Sequence, residues 1–139
     1  MTEKLAQINA LLKNTLMETL DITFTEIGTD FVVAKMPVTP KVWQPMGILH
    51  GGATVALAES VGSTASYLLV NGMDYEVKGI EISTNHVKSK KDGIVTATAK
   101  MIHKGKTIHL WEIKITDEDG ALISICKLTN IVLPKNKTI

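Results

Sequence analysis

One acidic residue in a long apolar segment is the first sign of chemistry in this chain. Glu59 is the only charged residue between positions 51 and 70. A carboxylate is rarely placed in such a segment unless it is paired or functional. The segment begins with His50-Gly51-Gly52, which would place a histidine and two unpaired backbone amides at a helix N-terminus. Together these residues indicate acyl chemistry, in which a carbonyl oxygen is polarised while its carbon is attacked.

The elements that would position these residues form an α+β pattern. The first twenty residues predict one amphipathic helix, and residues 49–70 predict a long helix that ends at Asn71-Gly72. Segments rich in Ile, Val and Thr predict six strands, the first two as a hairpin and the last four as a meander. The apolar stripe of the first helix comprises Leu5, Ile8, Leu11, Leu12 and Leu16, and the strands cover 22–26, 31–38, 77–88, 94–103, 107–116 and 121–133.

Length and charge set the broad class. The 139 residues fit a single domain, 1–139, and the net charge of +1 gives no bulk field for nucleic acid or anionic membranes. The charged N-terminus lacks a secretory pattern, and Cys126 has no second cysteine to pair with. Glu59 argues against a membrane span over 51–70. We therefore expect a cytoplasmic protein with neither nucleic acid nor membrane as a partner.

No metal or separate cofactor is expected. The histidines at 86, 103 and 109 lack a companion cysteine cluster and the i, i+4 histidine spacing of common zinc sites.

The long helix should be wrapped by the sheet. An apolar helix must be covered on most of its circumference, and small side chains allow sheet and helix backbones to approach closely. Such residues recur along this helix, at Ala53, Ala56, Ala58, Gly62, Ala65 and Ser66. A curved antiparallel sheet around one central helix is the hotdog fold.

Three motifs resemble the signature of hotdog-fold acyl-CoA thioesterases. They are Gln44-Pro45-Met46-Gly47, His50-Gly51-Gly52-Ala53 and Ala58-Glu59-Ser60-Val61-Gly62-Ser63. The pattern extends over essentially the whole chain and is similar to the branch with the bacterial dihydroxynaphthoyl-CoA, hydroxybenzoyl-CoA and phenylacetyl-CoA thioesterases. The resemblance implies hydrolysis of an acyl-CoA, with an aromatic acyl group favoured and coenzyme A entering as part of the substrate.

Each requirement of thioester hydrolysis has a candidate residue. The amide of Gly51 or Gly52 could donate to the carbonyl oxygen, and Glu59 would be the nucleophile or the general base. Ser63, one turn after Glu59, could hold a water molecule or the carboxylate. The resemblance implies that Gly51 is the donor, with Gln44 and His50 close by as orienting or polarising groups.

The spacing of Gly51 and Glu59 bears on assembly. Eight residues of helix span about 12 Å, whereas the donor and the attacking group must meet at one carbonyl. A two-fold dimer with antiparallel central helices would bring Gly51 of one subunit opposite Glu59 of the other. The resemblance implies the same sharing, with a homodimer as the minimal active unit and a homotetramer, a dimer of dimers, as the common assembly.

Lysines near strand ends could bind the phosphates of coenzyme A through local charge. The resemblance places the nucleotide near two segments of this chain. At position 106 relatives often have Arg, and Lys binds phosphate as a point charge instead of a planar fork. The candidate residues are His86, Lys88, Ser89, Lys104, Gly105, Lys106 and Thr107.

The same residues also fit less specific roles and two different functions. Glu59 could be a structural acid, and the paired glycines could simply permit a tight helix start. Among hotdog proteins, hydratases and dehydratases usually carry a His-Phe-Pro-Gly-like motif that is absent here. A sensing module that binds acyl-CoA without turnover usually carries a DNA-binding segment and lacks the helix acid.

Overall fold

The computed structural model describes residues 2–70 and 73–136. A short 3-10 turn at Pro40–Val42 precedes the long helix. Its helices are α1 (Thr2–Ala10), α2 (Leu16–Thr19) and α3 (Gly51–Leu69); its strands are β1 (Thr23–Ile27), β2 (Phe31–Pro37), β3 (Tyr75–His86), β4 (Ile94–Lys104), β5 (Ile108–Thr116) and β6 (Leu122–Pro134).

One antiparallel sheet surrounds the long helix, as the hotdog fold predicts. The strand order is β1-β2-β4-β5-β6-β3, and every neighbouring pair is antiparallel. Helix α3 contacts each strand from β2 to β6. The predicted long helix and hairpin are confirmed, while the predicted stop at Asn71-Gly72 lies outside the described residues. The architecture therefore holds the middle of α3 inside the sheet and leaves its first turn at the rim.

Close contact between α3 and the sheet depends on a small residue in the helix. Gly62 is buried, and a Cβ placed there would lie 2.5 Å from Cδ2 of Leu128 on β6. The core around it includes Leu57, Val61 and Ile113, all with no exposed surface. Burial of each such side chain stabilises the folded protein by about 1.5–3 kcal/mol, and these contacts hold α3 against the sheet.

The prediction of one amphipathic helix over the first twenty residues is wrong. The chain leaves helix α1 after Ala10 and re-enters helix only at Leu16. Asn14 has φ 65°, a left-handed conformation that asparagine tolerates and that interrupts a helix. Of the predicted stripe, Leu11 and Leu16 are 61% and 60% exposed, because the break turns them away from the core.

The predicted meander of the last four strands is wrong at its first turn. Strand β3 pairs with β6 and not with β4. Gly93, with φ +80°, helps to direct the chain between them towards β2, because its carbonyl accepts from the Val38 amide. The carbonyl of Lys90 likewise accepts from the Leu49 amide. The connection is thus a crossover that leaves β3 at one edge of the sheet.

No helix within residues 2–70 and 73–136 is long and apolar enough to cross a membrane.

Candidate active site

The first turn of α3 carries the histidine and glycines that the sequence singles out. His50 is the N-cap residue, and its Nδ1 accepts a 2.7 Å hydrogen bond from the Gly52 amide. The next two amides, of Ala53 and Thr54, donate to the His50 carbonyl. His50 is exposed and acts locally as the cap of the helix. The Gly52 amide is therefore engaged within the chain.

The Gly51 amide is the donor left open at this helix start. Within the part of the chain that the structure describes, its N–H has no hydrogen-bond acceptor. An unpaired amide at a helix N-terminus is a favourable site for a negatively charged or polarised oxygen. Of the two glycine amides that the sequence offered, the geometry leaves Gly51 available.

Gln44 lies beside this donor with half of its amide already used. Its Oε1 accepts from the Met46 amide within a tight turn closed by the Gly47 amide and the Gln44 carbonyl. With the oxygen engaged, the NH₂ group of the side chain remains as a donor. Gln44 can therefore offer hydrogen bonds to an oxygen in the adjoining cavity.

The cavity at this helix start has a volume of about 380 Å³. Gln44, Gly51, His86, Lys88 and Ser89 line it together with Ser124. The structure thus brings two of the predicted catalytic residues together with three of the predicted coenzyme A residues.

His86 comes closer to the predicted oxygen site than its assignment to the nucleotide implies. A Cβ placed on Gly51 would lie 2.7 Å from its Nε2, so the ring packs directly against the glycine. Its Nδ1 lies 2.7 Å from Oγ of Ser124 on β6, which fixes the ring plane. Gly51 is needed here because any side chain would collide with this ring. His86 and Ser124 therefore belong to the wall of the site.

Glu59 lies two turns along α3, away from this cavity. It is half-buried, and a Cβ placed on Gly79 of β3 would lie 2.6 Å from its Oε2. Gly79 sits where the β3–β6 register shifts, between Gly79 and Glu81. The absence of a side chain at 79 makes the space for the carboxylate, and the register shift disturbs the strand at the same point.

Ser63 lines a second cavity of about 250 Å³ on the same side of α3 as Glu59. Thr64, Tyr67 and Val77 share its wall. The N-terminal segment closes the other side with Ile8, Leu11, Leu12, Thr15 and Met17. This cavity is mainly apolar and suits a hydrophobic group more than a phosphate.

The two predicted halves of the site lie far apart within one chain. Gly51 packs against His86 and Glu59 against Gly79, seven residues apart on β3. Seven residues of extended strand span roughly 23 Å. The side chain of Glu59 and the amide of Gly51 in one chain therefore face different stretches of the same strand.

The predicted coenzyme A residues also fall into two groups. His86, beside Ser124 of β6, marks one end of the sheet. Thr107 marks the other, because its carbonyl accepts from the Val132 amide. Ser124 and Val132 are eight residues apart, about 26 Å along an extended strand. A single chain does not bring the 86–89 and 104–107 segments together.

The lysines of the two segments differ in whether they form ion pairs with acidic side chains. Lys88 pairs with Asp117 at 3.2 Å, and Lys90 pairs with Glu118 at 2.5 Å. The Lys90 contact, with the Ile94 amide, lowers the pKa of Glu118 to about 2. Lys104 and Lys106 are exposed and form no ion pair within the described residues. The expectation of free lysines therefore fits the 104–107 segment better than Lys88.

Within residues 2–70 and 73–136, no group of three or more His, Cys, Asp or Glu side chains is arranged to hold a metal ion.

Sequence reasoning missed Gly79 and Ser124 because each acts on a residue far away in the chain. A glycine inside a predicted strand is itself a signal of a bulge or a close approach, so Gly79 could have been noticed. Nothing near Ser124 marks it as the partner of His86.

Comparison with known proteins gives the family. The model of the thioesterase superfamily matches residues 46–124. A protein named 1,4-dihydroxy-2-naphthoyl-CoA hydrolase from Escherichia coli (strain K12) is 43% identical over 129 residues, which are 93% of this chain and 94% of that one.

Solved structures agree with the sequence match. A mutant thioesterase from Pseudomonas aeruginosa superposes with a TM-score of 0.91 and 43% identity, covering 94% of each chain. A thioesterase from Haemophilus influenzae gives a TM-score of 0.92 and 37% identity, covering 96% of this chain and 92% of that chain. The chain belongs to the thioesterase superfamily, and it is a hotdog-fold enzyme that hydrolyses thioesters.

Proposed function

We propose that the protein hydrolyses an acyl-CoA thioester to the free acid and coenzyme A, with Glu59 as nucleophile or general base. The observation that carries this proposal is the Gly51 amide, which has no acceptor among the described residues and belongs to a cavity wall shared with Gln44 and His86. A thioester carbonyl placed there would receive a hydrogen bond that strengthens as negative charge develops on its oxygen.

Two groups act on the thioester carbonyl: the Gly51 amide binds its oxygen, and Glu59 acts at its carbon. Glu59 either attacks the carbonyl carbon itself or takes a proton from a water molecule that attacks. In both cases the carbonyl π electrons move to the oxygen held by Gly51. Collapse of the tetrahedral intermediate breaks the carbon–sulfur bond and releases the thiolate. In the general-base case the proton on Glu59 passes to the thiolate, and the free acid and coenzyme A are the products. In the nucleophilic case collapse leaves a mixed anhydride of the acyl group and Glu59, which a water molecule hydrolyses to the free acid and the Glu59 carboxylate, while its remaining proton goes to the thiolate.

The attacking Glu59 belongs, in this proposal, to the partner subunit. Strand β3 is twelve residues long, lies at the edge of the sheet, and has no buried residue. Long unpaired edge strands are usually covered or paired. A second copy paired antiparallel across a two-fold axis between Ile82 and Ser83 would place Gly79 opposite His86 of the partner subunit. Glu59 would then approach the Gly51 of the partner subunit, twice per dimer.

The same pairing would reunite the nucleotide residues. It places the 104–107 end of one sheet beside the 86–89 end of the other. Strands β6 and β3 lie between the two segments, so three strand spacings of about 4.8 Å separate them. Free charges on Lys104 and Lys106 would then lie near the cavity of the partner subunit. A homodimer is therefore the minimal active unit of this proposal, and the homotetramer that the resemblance implies stays a prediction.

The acyl group is proposed to be aromatic. The relative from Escherichia coli is named for a naphthoyl-CoA substrate. In this chain the cavity beside Ser63 is apolar and includes the half-exposed Tyr67, a ring that can stack on another.

The test is an assay of hydrolysis with a panel of aromatic, short-chain and long-chain acyl-CoA substrates, in which the release of free thiol is measured. Glu59→Gln should leave a folded oligomer but lower kcat by at least about a hundredfold, because the amide is neither a base nor a nucleophile. Near-normal turnover by the variant would remove Glu59 from the mechanism. Retention of intact acyl-CoA by the unsubstituted protein would favour a sensing module, and hydration of an enoyl-CoA would favour a hydratase.

A further inference from the structure

A buried hydrogen-bonded network lies between the second half of α3 and strands β5 and β6. It comprises Ser63, Ser66, His109, Trp111 and Asn130, which we call the Asn130 network. All but Ser63 are at most 1% exposed. Buried polar groups need partners, and a network of this size restricts where each proton can lie. Hydrolysis by Gly51 and Glu59 alone leaves these residues without a role.

The amide of Asn130 has only one orientation that fits its neighbours. Its Nδ2 donates to the Gly62 carbonyl at 3.2 Å and to Oγ of Ser66 at 2.9 Å. A backbone carbonyl is an acceptor only, so the NH₂ group must face it. Oδ1 of Asn130 therefore faces the other way, towards Oγ of Ser63 at 3.5 Å, the longest contact of the network.

The hydroxyl of Ser66 is determined in the same way. It accepts from Nε1 of Trp111 at 2.8 Å and from Asn130. Both of its lone pairs are then occupied, so its own proton goes to the remaining contact, Nδ1 of His109 at 2.8 Å. His109 must accept at Nδ1 and is neutral, with its proton on Nε2. Burial, helped by the charges of Lys104 and His103, lowers the pKa of His109 and favours the same form.

Ser63 links the hydrogen bonds of the network to the active site. Among the described residues, Oδ1 of Asn130 has one hydrogen-bonding contact, the Ser63 hydroxyl. Oδ1 therefore accepts the Ser63 proton, and the lone pairs of Ser63 can accept from a water molecule. Ser63 lies one turn from Glu59 on the same side of α3. A water molecule between them could donate one proton to Ser63 as a hydrogen bond and direct the other at the carboxylate.

We propose that Asn130 is a positioning residue for thioester hydrolysis, because it makes Ser63 a hydrogen-bond acceptor for the attacking water. This inference rests on the proposed function and selects the general-base role of Glu59. In the step, the water O–H bond facing Glu59 breaks and its proton passes to the carboxylate. The oxygen forms the new carbon–oxygen bond, and its second proton stays on it, held by Ser63. The carbonyl π electrons move to the oxygen at Gly51.

The experiment is a double-mutant cycle on kcat with an acyl-CoA that the unsubstituted protein hydrolyses. Ser63→Ala and Asn130→Ala should each lower kcat about tenfold with little change in KM, since each removes about one hydrogen bond from the aligned water. The double variant should lose no more than about twofold beyond either single variant, because both changes remove the same alignment. Losses that multiply, or an Asn130→Ala variant within about twofold of normal, would overturn the proposal.

A matched control separates positioning from packing. Cys126→Ala removes a buried side chain from the same face of β6, four residues from Asn130, that takes part in none of the hydrogen bonds of the network. Its kcat should stay within about twofold of normal, and denaturant unfolding of both variants reports how much stability each has lost. A tenfold fall in the control would attribute the Asn130 effect to general loosening of the strand and overturn the proposal.

A second measurement needs no variant to fold. Side-chain ¹H–¹⁵N correlation spectra of the unsubstituted protein should show His109 neutral with its proton on Nε2. A proton on Nδ1 would reverse the network and overturn the proposal. Failure of the unsubstituted protein to hydrolyse any acyl-CoA would instead remove the proposed function, so the two failures are distinguishable.

Discussion

The two halves of α3 treat their polar groups in opposite ways. In the first turn Gly51 lines a cavity, its amide has no acceptor among the described residues, and His50 beside it is exposed. In the second half Ser66 makes three hydrogen bonds and is fully buried. Glu59 lies between the first turn and this buried part of the helix. A polar group left open at the rim is available to a ligand, whereas one satisfied inside the core fixes the position of its neighbours.

The largest expected effect comes from removing the open donor alone. Gly51→Pro deletes the N–H, and proline is well tolerated at the first position of a helix. The preceding His50 already has φ −67° and ψ 130°, the region that a residue before proline prefers. Gly51→Ala is the matched control, because it adds the same Cβ against His86 but keeps the N–H. Gly51→Pro should show kcat about a hundred- to a thousandfold below Gly51→Ala. Equal kcat values would show that this amide does not polarise the carbonyl.

Mixing two inactive variants tests whether the Gly51 and the Glu59 of one active site come from different chains. Random exchange of Glu59→Gln with Gly51→Pro subunits places half of the chains in mixed dimers with one intact site each. Activity should recover to about a quarter of the wild-type value if the site is shared. Subunit exchange is followed by native mass spectrometry of isotope-labelled chains. Complete exchange without recovery would mean that each chain supplies its own site.

Glycine-to-alanine substitution should lower the free energy of unfolding more in the second half of α3 than in its first turn. Gly62→Ala puts a Cβ against Leu128 in the core and should cost about 1–3 kcal/mol of unfolding free energy. At Gly52 the new Cβ meets only the exposed His50 ring, at 2.8 Å, and moving this ring weakens its cap bond to the Gly52 amide. Alanine favours a helix by about 1 kcal/mol over glycine, so the net change should stay within about 0.5 kcal/mol. Denaturant unfolding measures both. Similar losses at the two positions would contradict the contrast between a packed and an open half.

The smallest expected effect is a pH dependence of the free energy of unfolding, caused by His109 of β5, which contacts Ser66 in the second half of α3. The pKa of His109 is lowered in the folded protein, chiefly by burial, so the unfolded chain binds more protons as the pH falls below about 6.5. Stability contributed by the neutral ring is therefore fully present above that pH and is lost below it. Between about pH 7.5 and about pH 6 the loss should be at most about 1 kcal/mol.

His109→Gln is the matched variant for that measurement, since it keeps an amide near Ser66 without a titrating group. Its unfolding free energy should change less over the same pH interval. An equal slope in both proteins would assign the dependence to other groups.

Local patterns of the sequence predicted most elements because each depends on neighbours along the chain. The long helix, the β1–β2 hairpin and the positions of the other strands are confirmed to within a few residues. The placement of β3 could not be predicted, since a short turn such as 91–93 has the same composition in a hairpin and in a crossover. The break after Ala10 was missed because its cause is one left-handed residue, Asn14.

The candidate site divides in the same way. Gln44, His50 and Gly51 are close in sequence and lie around one helix start. Asn130 and Ser66 meet across 64 residues, and no local spacing announces such a contact. The available signal was weaker: His109 and Asn130 are polar residues at inward positions of strands whose neighbours are apolar. Polar side chains at inward strand positions are worth treating as members of a network before its partners are known.

The edge position of β3 has a consequence for how the enzyme would behave at low abundance. If this strand both covers its own exposed backbone and aligns two half-sites by pairing with a copy, activity per chain is tied to self-association. Specific activity would then fall on dilution below the dissociation constant of the dimer, and a newly synthesised chain would be inactive until it bound a second one.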